Sequence, residues 1–374
     1  MTTTATPEQT AAPAAKRKFD WNQVLVEGRA LIALALIIVV FSLMSDKYLE
    51  PNNLILMAKH VAMNAILALG MLVVILNGGI DLSVGSIVGL SGIVSGYALQ
   101  GMNVPFSDML AYPAVWVVIV LGLAVGALVG WINGVLVSRF KVAPFIATLG
   151  MLYVARGVAQ LISNGETFTK IFGTDKLGNT GFVPFLAGTF LKIPMPIWIM
   201  VLFAIAFSIV LTKTPFGRWL YATGGNERAA ELSGVPIKRV QTRIYVISGI
   251  CAAMVGLLLT ADLPGATPQA GLFYELNAIA AVVIGGAALS GGRGTVRGTI
   301  IGAFVIGFLV DGLVIVGVDY FWQQVIRGAV IILAVGLDQF QQRMQAASAV
   351  RRAKAGIQKT PTGGAGGQKT PVKA

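Results

Sequence analysis

Ten apolar segments, separated by short polar breaks, run along this chain. A helix needs roughly 20 mostly apolar residues to cross a bilayer. The pattern places such spans at residues 30–45, 54–76, 82–100, 112–138, 145–163, 195–212, 244–261, 274–289, 298–316 and 321–338. An even number of spans leaves both tails on one side. Residues 1–29 are Thr-, Ala- and Pro-rich and carry Lys16-Arg17-Lys18, with no apolar stretch and cleavage site of a signal peptide behind them. They read as a disordered cytoplasmic tail. Residues 341–374, rich in Gly, Lys and Thr, read as a second one. The expected fold class is all-α integral membrane, with a membrane-spanning body over residues 30–340.

Two stretches of the pattern nearly coincide. Val73-Val74-Ile75-Leu76-Asn77-Gly78-Gly79-Ile80-Asp81-Leu82-Ser83-Val84-Gly85 is echoed by Val282-Val283-Ile284-Gly285-Gly286-Ala287-Ala288-Leu289-Ser290-Gly291-Gly292. With a two-residue gap, the pair Gly78-Gly79 aligns with Gly285-Gly286. Each copy ends an apolar helix in glycines and is expected to start a small-residue helix right after. Spans two and eight run in the same direction, so the repeats are parallel, related by an axis along the membrane normal. Glycine-interrupted segments in matching positions of two halves point to a transport path at the repeat interface. The pattern leaves open whether each glycine pair is a tight hairpin or a broken helix. Gly122, Gly126, Gly130 and Gly134, and Gly298 and Gly302, recur every fourth residue, a spacing that lets helices approach closely.

Composition agrees: 56% of residues are hydrophobic and only 12% charged, about half the charged share of a soluble domain. The net charge of +12 is explained by membrane orientation, so no nucleic-acid partner is implied. With both tails inside, 21 of the 28 basic residues fall on cytoplasmic segments and four (Lys47, Lys170, Lys176, Lys192) on outer ones. Cys251 is the single cysteine and His60 the single histidine, leaving no metal or haem constellation and no cofactor. Trp21, Trp116, Trp198 and Trp322 suit the interface belts.

The longest inner loop, residues 213–243, has helix signals of its own. Asn226 suits an N-cap, Glu227 a positive first turn, and Gly234 a helix end. Pro236 fits the first turn of a second short helix bearing Lys238 and Arg239. Ala229, Ala230 and Leu232 offer a small apolar face to a cytosolic partner.

Gly225-Asn226-Glu227-Arg228-Ala229-Ala230-Glu231-Leu232-Ser233-Gly234-Val235 resembles the coupling segment of ribose-type ABC importer permeases. So do Asn77 to Gly85 and the stretch Glu275-Leu276-Asn277-Ala278-Ile279-Ala280-Ala281-Val282-Val283-Ile284-Gly285-Gly286. The resemblance covers about residues 30–340. It implies a non-catalytic membrane subunit paired with a second permease copy, driven by a separate ABC ATPase subunit and fed a pentose, hexose or polyol by a periplasmic binding protein. Ala229-Ala230 and Gly234 match the core of the coupling motif, and Arg228 departs from it where Glu is common. Asn226, Glu227 and Glu231 complete the expected ATPase contact.

Leu289-Ser290-Gly291-Gly292 imitates an ATPase signature, but the chain has no G-x-x-x-x-G-K-[ST] phosphate loop. Ionisable groups inside spans are costly and often functional. Arg156 either faces a polar path with Gln160 or pairs with a carboxylate, for which Asp311 is the candidate. Asp81 either caps the third span or gates. Asn64, Asn77, Glu275 and Asn277 are further substrate-path candidates, because sugars need neutral hydrogen-bonding groups. A proton-coupled secondary transporter, with Asp311 or Asp81 as relay, is the competing reading.

Overall fold

The computed structural model describes residues 21–103, 110–169, 171–173, 177–263, 265–333, 336 and 340. Most of both expected tails, Lys170, Lys176 and most of the end of the tenth segment lie outside the described residues. The chain is mostly helical. Its helices are α1 (Trp21–Met44), α2 (Pro51–Leu76), α3 (Val84–Gln100), α4 (Val115–Ser138), α5 (Pro144–Ser163), α6 (Phe182–Ala187) and α7 (Met195–Lys213). They continue with α8 (Pro215–Gly225), α9 (Glu227–Leu232), α10 (Ile237–Asp262), α11 (Tyr274–Ile284) and α12 (Val296–Ile315). A last helix covers residues 320–333. Two short antiparallel ribbons, Met102–Asn103 with Leu110–Ala111 and Thr189–Phe190 with Ile193–Pro194, close loops.

Helix α2, α4, α5, α7, α10 and α12 are each long and apolar enough to cross a membrane. The apolar part of α1, and α3 and α11, are shorter. Proline opens α2, α5 and α8, where its fixed φ suits the first turn and no donor is wasted. α1 starts at Trp21, so residues 21–29 continue the first span as helix instead of belonging to the tail. Its polar start, with Asn22, Gln23 and Glu27, hides it from a search for apolar runs.

Helices α2 and α10 form the centre. Every residue of α2 from Ala65 to Leu76 is buried, as expected of a helix apolar on all sides. α10 packs against α2, α3 and α4. The α4–α10 contact is the glycine ladder seen in the sequence. A Cβ at Gly126 or Gly130 would overlap the carbonyls of Gly249 or Tyr245, and one at Gly134 would lie 2.7 Å from the Thr242 Cα. Between apolar helices in lipid there is little hydrophobic drive, and this close backbone packing replaces it. Gly298 and Gly302 do the same for α12, against Gly285 and Ala281 of the α11 end.

Candidate functional site

The two glycine repeats meet. After α2, Asn77 is right-handed and Gly78 turns left-handed at φ 79°. After α11, Gly285 is right-handed and Gly286 follows at φ 92°. The hydrogen bonds match too. Gly78 N–H donates to Ile75 and Gly79 N–H to Val74, while Gly286 N–H donates to Val283 and Ala287 N–H to Val282. The turns are therefore equivalent one residue away from the sequence pairing, with Gly78 opposite Gly286. Beyond them the copies diverge. α3 begins at Val84, but α12 begins only at Val296, after a loop through Gly291 and Gly292 at φ 89° and 72°. That loop lies on the front turn, where Gly292 N–H donates to the Leu76 carbonyl at 2.9 Å.

Gly224, at the end of α8, completes this junction. A Cβ there would overlap Leu76 O and lie 2.7 Å from Gly292 N. Tyr221, one turn earlier on α8, donates its hydroxyl to Gly294 O at 2.8 Å. Burial pushes that hydroxyl above the usual phenol range, which keeps it a neutral donor. The sequence reading found neither residue, because glycine and tyrosine in a loop carry no motif.

Helix α8 itself was not expected, and it replaces the second short helix. Pro236 instead leads directly into the 26-residue α10. The α9 expectations hold: the Asn226 side chain accepts from Ala229 N–H at 3.0 Å, and Gly234 sits at φ 83°. Glu227 lies 3.7 Å from Lys141 of the α4–α5 loop, an exposed pair of little energetic weight. The apolar face divides. Ala230 is buried against the body of the protein, so it is not available to a partner. Ala229 and Glu231 face out, and Leu232 is 82% exposed.

The front turn also resolves the hairpin question. α2 and α3 do not pack on each other as a hairpin; both lie on α10. Residues 79–83 climb between them as irregular backbone. Asp81 lies against Ser248, eleven residues or about 16 Å along α10. α3 then follows only the far half of α10, with Gly256 against Val88 and Gly92 against Thr260. Irregular backbone at such depth needs internal partners. Asp81 supplies them. Its Oδ1 accepts from the backbone N–H and hydroxyl of Ser83 at 3.0 and 2.6 Å, and its Oδ2 from the Ser248 hydroxyl at 2.9 Å. Asn133 donates to Ser83 Oγ at 2.9 Å, and Thr148 to the Ile80 carbonyl at 3.2 Å. All of Asp81, Ser83, Asn133 and Ser248 are fully buried. Asp81 thus fastens the residue entering α3 instead of an amide within it.

A second irregular stretch, residues 265–273, runs back down along α3. Ala266 faces Gly96, Pro268 and Ala270 face Gly89, and Gly271 faces Gly85. α11 starts there, so its 11 residues span only part of the body. Arg156 of α5 clamps the stretch. It donates to the carbonyls of Pro268, of Ala270 at 2.8 Å and of Gly85 at 3.1 Å. Glu275, in the first turn of α11, presses its carboxylate on Gly85 in the first turn of α3. It therefore lies between two helix N-termini, the place where a negative charge is favoured.

Two expected pairings do not form. Asp311 lies against His60 Nδ1 at 3.1 Å, not Arg156. Gln160 is exposed on α5, while Arg156 turns inward. Asn277 is buried on α11 near Glu275, Asn77 belongs to the front glycine turn, and Asn64 stands halfway along α2.

A helical body with two glycine turns joined at one end, two irregular stretches inside it and a capped helix outside it has the construction of a membrane permease. Residues 53–335 match the family described as permease components of branched-chain amino acid transport systems. The ribose import permease of Bacillus subtilis (strain 168) is 43% identical over 325 residues, 87% of this chain and 96% of the relative. That of Escherichia coli (strain K12) is 39% identical over 326 residues, 87% of this chain and 98% of the relative. The L-arabinose ABC transporter permease of Azospirillum brasilense is 32% identical over 349 residues, 92% of this chain and 96% of the relative. No solved structure matches. The chain belongs to the ribose-type ABC importer permease family.

Proposed function

We propose that this chain is the membrane-spanning, non-catalytic subunit of an ABC importer that carries a monosaccharide across the bacterial inner membrane. In this reading a periplasmic binding protein delivers the sugar, a second permease copy completes the path, and a separate ATPase docks on α8 and α9. The chain crosses the lipid ten times with both tails inside. The distribution of basic residues supports that orientation, as does the gathering of Lys141, α9 and both glycine turns at one end. Residues 30–340 form a single permease domain.

The observation that carries the reading is Leu232. A leucine 82% exposed on a rigidly capped helix outside the apolar body is poorly placed in water and well placed in a partner groove. The helix is joined to the glycine junction through Gly224 and Gly225 of α8, giving a push on α9 a direct route to the ends of α2 and α11. A cysteine at Leu232 should crosslink to the co-expressed ATPase subunit in membranes, and one at the inward-facing Ala230 should not. Absence of a Leu232→Cys product across a range of crosslinker lengths would remove the docking assignment.

A further inference from the structure

A hairpin leads into α7. Thr189–Phe190 pairs with Ile193–Pro194 across a two-residue turn at Leu191 and Lys192, and the helix starts at Met195. Both turn residues have positive φ, 51° and 65°. Such a turn is ordinarily built from Asn and Gly, which bear the left-handed region at little cost. Here it holds a leucine at its tip, 72% exposed, between Phe190 and Ile193, which are exposed as well.

The hairpin folds down onto α7 instead of standing off it. Trp198 donates its indole N–H to the Phe190 carbonyl at 3.1 Å, and the two rings meet edge to face with centroids 5.9 Å apart. Trp198 also opens a stripe. Leu202, Ile205 and Ile209 follow it on one face of the helix, within about 40° of its direction. All three are exposed, on a helix long and apolar enough to cross a membrane. An apolar stripe of that kind faces lipid. The hairpin lies across its outer end, so Phe190, Leu191 and Ile193 continue a surface that is already lipid-facing.

Depth follows from the side chains. A tryptophan near the end of a span sits at the level of the headgroups. From there the three apolar side chains reach the upper acyl chains, while the Lys192 ammonium stays with the phosphates and lays its stem along the apolar layer. A soluble partner fits this surface less well. Until it arrived, the three apolar groups would stand in water beside a lipid-facing stripe, and Lys192 is the hairpin's one charge.

We propose that residues 189–194 are a membrane anchor, an interfacial hairpin seated in phospholipid with Leu191 among the acyl chains and Lys192 at the phosphates. In the orientation given above it lies in the outer leaflet. It pins the outer end of α7, whose inner end passes through Thr214 alone into α8 and so to Gly224. The glycine junction thereby has a fixed point on the far side of the membrane.

The test uses the full-length permease in phospholipid nanodiscs, where both faces meet solvent and orientation does not enter. Leu191→Cys and Lys192→Cys are made singly, with the buried Cys251 left in place. A charged thiol reagent should react at least about tenfold more slowly with Leu191→Cys than with Lys192→Cys, because a thiol among acyl chains yields little thiolate. A nitrobenzoxadiazole probe on Leu191→Cys should be quenched by phospholipid bearing a nitroxide near the top of its acyl chain, as should one on Leu202→Cys. Iodide should quench a probe on the exposed Leu232→Cys and leave the Leu191→Cys probe bright. Reaction rates within about twofold of each other, or a Leu191→Cys probe quenched by iodide and not by the lipid nitroxide, overturn the anchor. So does a Leu191→Cys thiol that reacts fast in the permease alone and slowly once the periplasmic binding protein is added, which would make the tip a docking site for that protein.

Discussion

The Leu76 carbonyl, the last of α2, accepts the N–H of Gly292, in the loop that follows α11. One hydrogen bond thus joins the ends of the two repeats, and Gly224 of α8 lies close enough on top of it that no side chain fits between. The junction is a backbone contact among three segments far apart in sequence, so it responds to movement of any of them.

Gly224→Ala should therefore be disruptive in spite of the small change. The added methyl overlaps Leu76 O, and overpacking of that kind costs about 1–3 kcal/mol. Gly150, on the exposed side of α5, has nothing within reach of a Cβ. Gly150→Ala should stabilise by about 0.5–1 kcal/mol through the gain in helix preference. Thermal unfolding of the two purified variants should move in opposite directions from the parent, and equal shifts would show that the junction is loosely packed.

Gly234 ends α9 at φ 83°. Asparagine tolerates the left-handed region and valine does not, the strain being about 1–3 kcal/mol. Coupled uptake should rank Gly above Gly234→Asn above Gly234→Val, with all three proteins reaching the membrane. A valine variant that couples as well as the asparagine one would mean that the geometry of this turn does not matter to the ATPase.

Arg156 holds three carbonyls at once, which suits a planar fork with five donors and not a single ammonium. Arg156→Lys should lose about 1.5–3 kcal/mol in spite of the retained charge. Residues 265–273 should then become open to protease or hydrogen exchange while α4 and α10 stay protected. Equal exchange in this stretch before and after the change would show that α3 alone holds it.

The orientation has a direct test. Cys251 is buried and will not react with an impermeant thiol reagent, so it can stay in place. In intact cells Lys192→Cys should label and Lys238→Cys should not, both positions being exposed. The reverse pattern would invert the whole topology.

The helices were legible because the lipid demands long apolar runs: among the described residues each apolar segment carries helix, and six of those helices are long and apolar enough to cross a membrane. The α4 glycines were legible as a contact surface for the same reason, since small residues at every fourth position have one use on an apolar helix. The interior was not. Asp81 and Arg156 stood out as charges in spans, but their partners include a serine hydroxyl 167 residues away and carbonyls 112 and 114 residues away. Backbone carbonyls carry no sequence signature at all. The pairing of Arg156 with Asp311 was the natural guess for two opposite charges, and it failed because main-chain oxygens of an irregular stretch were the nearer acceptors. The inward turn of Ala230 escaped for a similar reason: a six-residue helix is too short for its periodicity to tell a docking face from a packed one.

The buried carboxylate of Asp81 also sets an order in time. It leaves the ribosome before any of the groups that satisfy it from other helices. Asn133, which holds its serine partner, arrives some 50 residues later, and Ser248 arrives 167 residues later. Until α10 is inserted, residues 79–83 have no complete set of partners and α3 has only α4 and α5 to lie along. The front half of the protein must therefore wait in the membrane, unfinished, for the back half to be made. A chain stalled before residue 237 would hold a carboxylate without its Ser248 partner and a third helix missing one of its three neighbours, a natural mark for the quality-control proteases that clear incomplete membrane proteins.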